Sequence, residues 1–201
     1  MRIAVLVSGR GSNLQALIDG VHGREAEIVG VASDRAGAPA LDRAAAAGIP
    51  TAVFLRDDYE DRTGRDLAMG DWVLAHGAEL VVLAGYMALL TPAFVTRFPD
   101  RIVNVHPSLL PAFTGIGAIR QAIDHGVKVV GVTVHLVDEG VDTGAILLQR
   151  AIPMPETRDE TEVHAALRPL EHELLPDAVR LFAAGRVGRD PADPLRVVIA
   201  P

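Results

Sequence analysis

Over its first hundred residues the chain alternates short aliphatic, β-branched runs with helical stretches, and this alternation restricts the fold more than any other feature. Residues 3–7, 28–32, 51–55, 80–83 and 102–105 read as strands. Between them lie helical patterns after Leu14, over 38–47, over 58–76, and a short one opened by Thr91 and Pro92. Strands separated by helices imply right-handed crossovers and a parallel sheet. The strands are continuously apolar, as expected for strands covered on both faces. Ligands of such sheets sit beyond the carboxyl ends of the strands. The segments 9–13, 85–90 and 104–106 all fall at such ends.

Past Gly115 the pattern changes. Residues 116–125 read as a helix closed by Gly126. Two long apolar runs, 127–137 and 145–152, follow with no helix between them, which predicts an antiparallel pair joined by 138–144. Residues 160–184 read as a long helix, bent at Pro169 and Pro176, and 196–199 as an edge strand. The expected fold is α/β: a Rossmann-like, mostly parallel sheet with helices on both faces and an antiparallel C-terminal strand pair. At 201 residues one domain over 1–201 is the expectation, with 185–201 as a C-terminal extension.

Composition removes several function classes. The chain has no cysteine, which excludes disulfides, thiol nucleophiles and thiolate-bound metals and fits a reducing, cytoplasmic setting. Its net charge of −7 argues against a nucleic-acid surface. No apolar run reaches the ~20 residues of a membrane span, and the first eight residues read as a strand rather than a signal peptide. The histidines show no metal-ligand spacing, so no metal is expected. His22, His76, His125, His164 and His172 are expected at the surface.

Two stretches carry chemistry. In Ser8-Gly9-Arg10-Gly11-Ser12-Asn13-Leu14, a strand runs through a glycine turn into a helix that Ser12 or Asn13 could cap. Free N–H groups at such a helix start bind phosphate. The loop lacks both Gly-Lys-Ser/Thr and the third glycine of a dinucleotide loop, which favours a monophosphate. In the second stretch, Asn104 and His106 alternate with Val103 and Val105, so both side chains leave the strand on one side. Asp142, in a glycine-containing loop, is the carboxylate expected to orient His106. The set then reads as carbonyl polariser, proton shuttle and orienting carboxylate for direct acyl transfer without a covalent nucleophile. His135, alternating with Thr133, is a further candidate.

The run Asn104-Val105-His106-Pro107-Ser108-Leu109-Leu110-Pro111, with Val132-Thr133-Val134-His135 and Gly140-Val141-Asp142-Thr143-Gly144, resembles the folate-dependent formyltransferases. The Ser8–Leu14 loop narrows the resemblance to the members acting in purine biosynthesis. It covers residues 1 to about 186. It implies transfer of a formyl group from 10-formyltetrahydrofolate, the cosubstrate, to the amine of glycinamide ribonucleotide; a monomer or homodimer acting on small molecules is expected. By position it implies that Gly11, Ser12 and Asn13 hold the phosphate and Glu171 meets the ribose. Arg62, Met87, Ala88, Leu89 and Leu90 would line the folate cleft. Val137, Asp138, Glu139, Gly140, Val141 and Asp142 would surround the pterin. Asn104 would stabilise the oxyanion and His106 act as the acid, kept protonated by Asp142. A cis bond is implied at Leu110-Pro111. Gly115 matches the family, but Thr114 stands where a proline is usual and Gly117 where a histidine is; Arg168 and Pro169 also depart. The alternatives are a formyltetrahydrofolate hydrolase, a sugar-nucleotide formyltransferase, or a non-catalytic phosphoribosyl- or folate-binding protein. A tRNA formyltransferase is disfavoured by length and acidity, and a nicotinamide oxidoreductase by the glycine spacing.

Overall fold

The computed structural model describes residues 1–200, all but Pro194 with their side chains; Pro201, the end of the expected extension, lies outside the described residues. The chain divides into two compact units, Met1–Asn104 and Val105–Pro201.

The first unit holds β1 (Arg2–Val7), α1 (Ser12–Gly20), β2 (Glu27–Ser33), α2 (Pro39–Ala46), β3 (Thr51–Val53), α3 (Arg62–Ala75), β4 (Leu80–Leu83), α4 (Pro92–Val95) and the start of β5 (Ile102–His106). Its strands pair in parallel in the order β3-β2-β1-β4-β5. Strand β1 is central because it has no polar face: every side chain from Ile3 to Val7 is fully buried. Each such aliphatic side chain contributes about 1.5–3 kcal/mol by leaving water. The helices answer with apolar positions three or four residues apart, Leu14 and Leu17 on α1 and Met69 and Val73 on α3. Gly30 of β2 lets α3 approach closely, since a Cβ there would lie 2.4 Å from the Trp72 ring.

Several expected boundaries move. The helix expected over 58–76 starts at Arg62, because the Asp61 carboxylate accepts the Gly64 N–H at 2.7 Å and so caps the turn there; residues 56–58 form a separate 3-10 turn. The third strand stops at Val53. Neither Ser12 nor Asn13 caps α1: Gly11 holds the cap position at φ 74, and Ser12 is already helical.

The second unit continues with α5 (Ala118–His125), β6 (Val129–Leu136), β7 (Ile146–Pro153), α6 (Glu160–Ala183), β8 (Val187–Asp190) and β9 (Asp193–Ile199). Helix α5 starts two residues later than expected, after a left-handed Gly117, and ends at a left-handed Gly126. Strands β6 and β7 form the expected antiparallel pair. Helix α6 packs on both, burying Val163, Leu167, Leu174, Ala178 and Val179. The Asp159 carboxylate accepts the Thr161 N–H at 2.7 Å, and Glu160 and Glu162 add favourable charge to the first turn. The helix is continuous through Pro169 and Pro176. The expected edge strand at 196–199 is instead interior: β9 pairs in parallel with β7 at Ile146 and antiparallel with β8, which sequence pattern did not reveal.

Candidate active site

In the first unit the turn between β1 and α1 is shaped by Gly11. Its φ of 74 is left-handed, and a Cβ there would lie 2.7 Å from that of Ala40. Ser12 and Asn13 therefore form the first turn of α1, half-buried and buried, at the carboxyl end of β1. The opening N–H groups of a helix have no partner within it, and the helix dipole adds partial positive charge there. Arg43 of α2 braces this turn, donating through Nε to the Arg10 carbonyl at 2.9 Å and through Nη1 to Gln15 Oε1 at 3.1 Å.

The expected cleft residues of this unit lie after β4. Met87 and Leu89 are exposed, Ala88 and Leu90 half-buried. Arg62 is exposed in the first turn of α3; the guanidinium that meets this segment is that of Arg65, whose Nη2 donates to the Leu89 carbonyl at 3.4 Å. The sequence reading missed Arg65, an arginine one turn further along the same helix.

In the second unit the structure brings His106, His135, Gly115 and Asp142 together. Asp142 lies in the loop between β6 and β7, at φ 54, a left-handed conformation that strains a non-glycine residue. The loop is held by Asp138, whose Oδ1 accepts the Gly140 N–H at 3.0 Å and the Thr143 hydroxyl at 2.7 Å. Gly144 closes it against the Leu136 carbonyl, 1.9 Å from where a Cβ would stand. So placed, Asp142 Oδ2 accepts the Gly115 N–H at 2.8 Å and lies 3.3 Å from His106 Nδ1, while Oδ1 lies 3.5 Å from His135 Nε2. The β6–β7 register slips between Val134 and His135, a bulge at the point where His135 meets Asp142.

His106 is 6% exposed and His135 2%. The other nitrogens of both rings face carbonyls: His106 Nε2 that of Phe113 and His135 Nδ1 that of Leu136, each at 2.8 Å. Each imidazole thus has an acceptor at both nitrogens, which a doubly protonated ring satisfies. Burial alone would raise the Asp142 carboxyl; the His135 hydrogen bond, the Gly115 N–H and the charge on His106 outweigh it and bring it down to about 2. A half-buried carboxylate that stays ionised and holds a histidine on each side can orient an acid catalyst.

The segment after His106 is fixed by residues that sequence reasoning passed over. The Thr133 hydroxyl donates to the Ser108 carbonyl at 2.7 Å and accepts the Leu110 N–H at 3.1 Å. Gln149 Nε2 donates to the Leu110 carbonyl at 2.8 Å. The Leu110-Pro111 bond is cis, as the resemblance implied. Gln121 Nε2 donates to the Thr114 and Ile116 carbonyls, holding the stretch that contains the two departures. Nothing but the fold places Thr133 or Gln149 there.

The remaining expected residues are more scattered. Val137 and Asp138 are half-buried, and Glu139, Gly140 and Val141 are exposed on the loop. Glu171 is 5% exposed on α6, with His164 Nε2 3.4 Å from its Oε1. Of the five histidines expected at the surface, His125 is exposed and His22, His76, His164 and His172 are half-buried. His22 Nδ1 accepts the Ile28 N–H at 3.1 Å, and His172 is half-buried with its Nε2 enclosed and its basicity lowered by burial. Among the described residues no three His, Asp or Glu side chains are grouped to hold a metal ion, and no helix is long and apolar enough to cross a membrane.

Residues 1–179 match the family described as formyl transferase. The phosphoribosylglycinamide formyltransferase of Haemophilus influenzae is 45% identical over 189 residues, covering 92% of this chain and 89% of that protein. The trifunctional purine biosynthetic protein adenosine-3 of Chironomus tentans is 44% identical over 92% of this chain, which spans only 14% of that protein. The crystal structure of glycinamide ribonucleotide transformylase 1 from Symbiobacterium toebii superposes with a TM-score of 0.95 at 45% identity, covering 100% of this chain and 94% of that one. With the match running through the Gly11 turn, β5 and the Asp142 loop alike, the chain belongs to the formyl transferase family.

Proposed function

We propose that this protein transfers the formyl group of 10-formyltetrahydrofolate to the amine of glycinamide ribonucleotide in purine biosynthesis. The observation that carries the reading is the Asp142 carboxylate held between His106 and His135. The left-handed Gly11 turn supports a phosphate-bearing acceptor. Names borne by similar proteins point to the same substrate.

In this reading Gly11, Ser12 and Asn13 receive the phosphate, and Glu171 the ribose. Met87, Ala88, Leu89 and Leu90, with Arg62 and the 137–142 loop, receive the folate. The amine attacks the formyl carbon, and the amide of Asn104 donates to the oxygen that becomes negative. Nδ1 of His106 is committed to Asp142, so the proton on Nε2, facing the Phe113 carbonyl in this structure, passes to N10 as the C–N10 bond breaks. The neutral imidazole then takes the proton lost by the attacking amine, which closes the cycle with no covalent intermediate and no metal. We place the enzyme in the cytoplasm, as a monomer or homodimer acting on small molecules.

The test is a spectroscopic assay of deformylation with and without glycinamide ribonucleotide. Acceptor-dependent turnover is expected, reduced roughly 10²–10⁴-fold in His106→Ala with little change in either KM. Equal turnover without acceptor would make the protein a hydrolase, and tight binding without turnover a sensor; either result would refute the proposal.

A further inference from the structure

Residues 84–91 run from β4 to α4 without regular structure, yet their backbone is pinned from below by three buried side chains. Ser8 Oγ accepts the Met87 N–H at 2.8 Å. Asp66 Oδ2 accepts the Thr91 N–H at 2.6 Å. Arg65 donates through Nε and Nη2 to Asp66 Oδ1, at 2.9 and 2.6 Å, and Nη2 also reaches the Leu89 carbonyl. Ser8 is 3% exposed, Arg65 2% and Asp66 0%. Between these posts Met87 and Leu89 stand 62% and 55% exposed, an apolar surface turned to water.

A buried ion pair is an expensive way to fill a helix face, because apolar residues of similar volume serve packing as well or better. Arg65 and Asp66 differ from such filling in one respect: each spends bonding capacity on the backbone of the 87–91 segment. We propose that Arg65 and Asp66 are positioning residues that fix this segment as a rigid apolar wall for the cosubstrate's flat ring. They govern cosubstrate affinity and leave the rate of transfer alone. The proposal rests on the functional reading above. It adds a determinant that lies on α3, one turn from the exposed Arg62.

The test uses the full chain with Arg65→Met and Asp66→Leu together, which removes both posts without stranding a buried charge, and separately Ser8→Ala. In the double variant the Thr91 amide, and in Ser8→Ala the Met87 amide, should exchange with solvent faster while the strand amides keep their protection. The KM for 10-formyltetrahydrofolate should rise roughly tenfold, with kcat and the KM for glycinamide ribonucleotide within about twofold of wild type. Ser8→Ala should raise the same KM alone, by less. A folded double variant with an unchanged cosubstrate KM, or with both KM values raised alike, overturns the proposal. If the double variant does not fold, Ser8→Ala decides by the same readouts. Absence of turnover in the wild type sinks the functional reading instead; titration of wild type and variants with tetrahydrofolate by calorimetry then decides the role of the two residues.

Discussion

Replacing Asp142 by asparagine keeps the shape of the side chain and an acceptor for the Gly115 N–H, but removes the charge that holds two histidines. The carboxyl lies at about 2 in the folded protein against an ordinary 3.8. At 1.36 kcal/mol per pH unit the difference corresponds to at most about 2.4 kcal/mol of stabilisation. The side chain is 13% exposed, and discounting for solvent screening leaves about 1–2 kcal/mol. The sign follows from proton binding. The folded-state value lies below the unfolded one, so the unfolded chain binds more protons between the two. The stabilisation is therefore complete above about pH 4 and is lost as the pH falls towards 2. Urea unfolding of wild type and Asp142→Asn between pH 2 and 5 measures it, because groups common to both proteins cancel in the difference. A gap of about 1–2 kcal/mol at pH 5 that closes towards pH 2 is expected. A gap independent of pH, or one that widens in acid, would refute the charge-holding account of Asp142.

Gly11→Ala combines a disfavoured φ with a Cβ placed against Ala40; it should cost about 2 kcal/mol or more and raise the KM for glycinamide ribonucleotide over that for the cosubstrate, as thermal melts and steady-state kinetics would show. His135→Ala withdraws the partner of Asp142 Oδ1; kcat should fall roughly ten- to hundredfold, less than for His106→Ala, with KM little changed. Leu167→Ala opens a cavity under α6 at a fully buried position; a loss of about 2–5 kcal/mol in denaturant unfolding is expected, with activity retained at low temperature.

The parallel strands, their helices and the antiparallel pair were legible because their physics is local. An unbroken apolar run such as that of β1 has only one satisfactory environment, and a glycine between strand and helix marks the turn. Element ends were less legible. The start of α3 depends on the Asp61 carboxylate finding the Gly64 N–H. The strand pair β8 and β9 depends on a partner, β7, distant in sequence. Alternation along β5 pointed to His106, the glycine-containing loop to Asp142 and alternation along β6 to His135, and the structure brings these three side chains together. Arg62 is legible as a cleft candidate from its position, whereas the Arg65 guanidinium, bonded to the Leu89 carbonyl, is visible only in the folded chain.

The sequence by itself determined which residue types were available for acid catalysis and which turn could receive a phosphate, because both follow from side-chain chemistry and backbone freedom within a few residues. Only the tertiary structure decided that Asp142 serves two histidines at once, that Thr133 and Gln149 lock the segment after His106, and that a buried Arg65–Asp66 pair bonds to the backbone after β4. Those arrangements join groups tens of residues apart, and their distances are set by the packing within each unit.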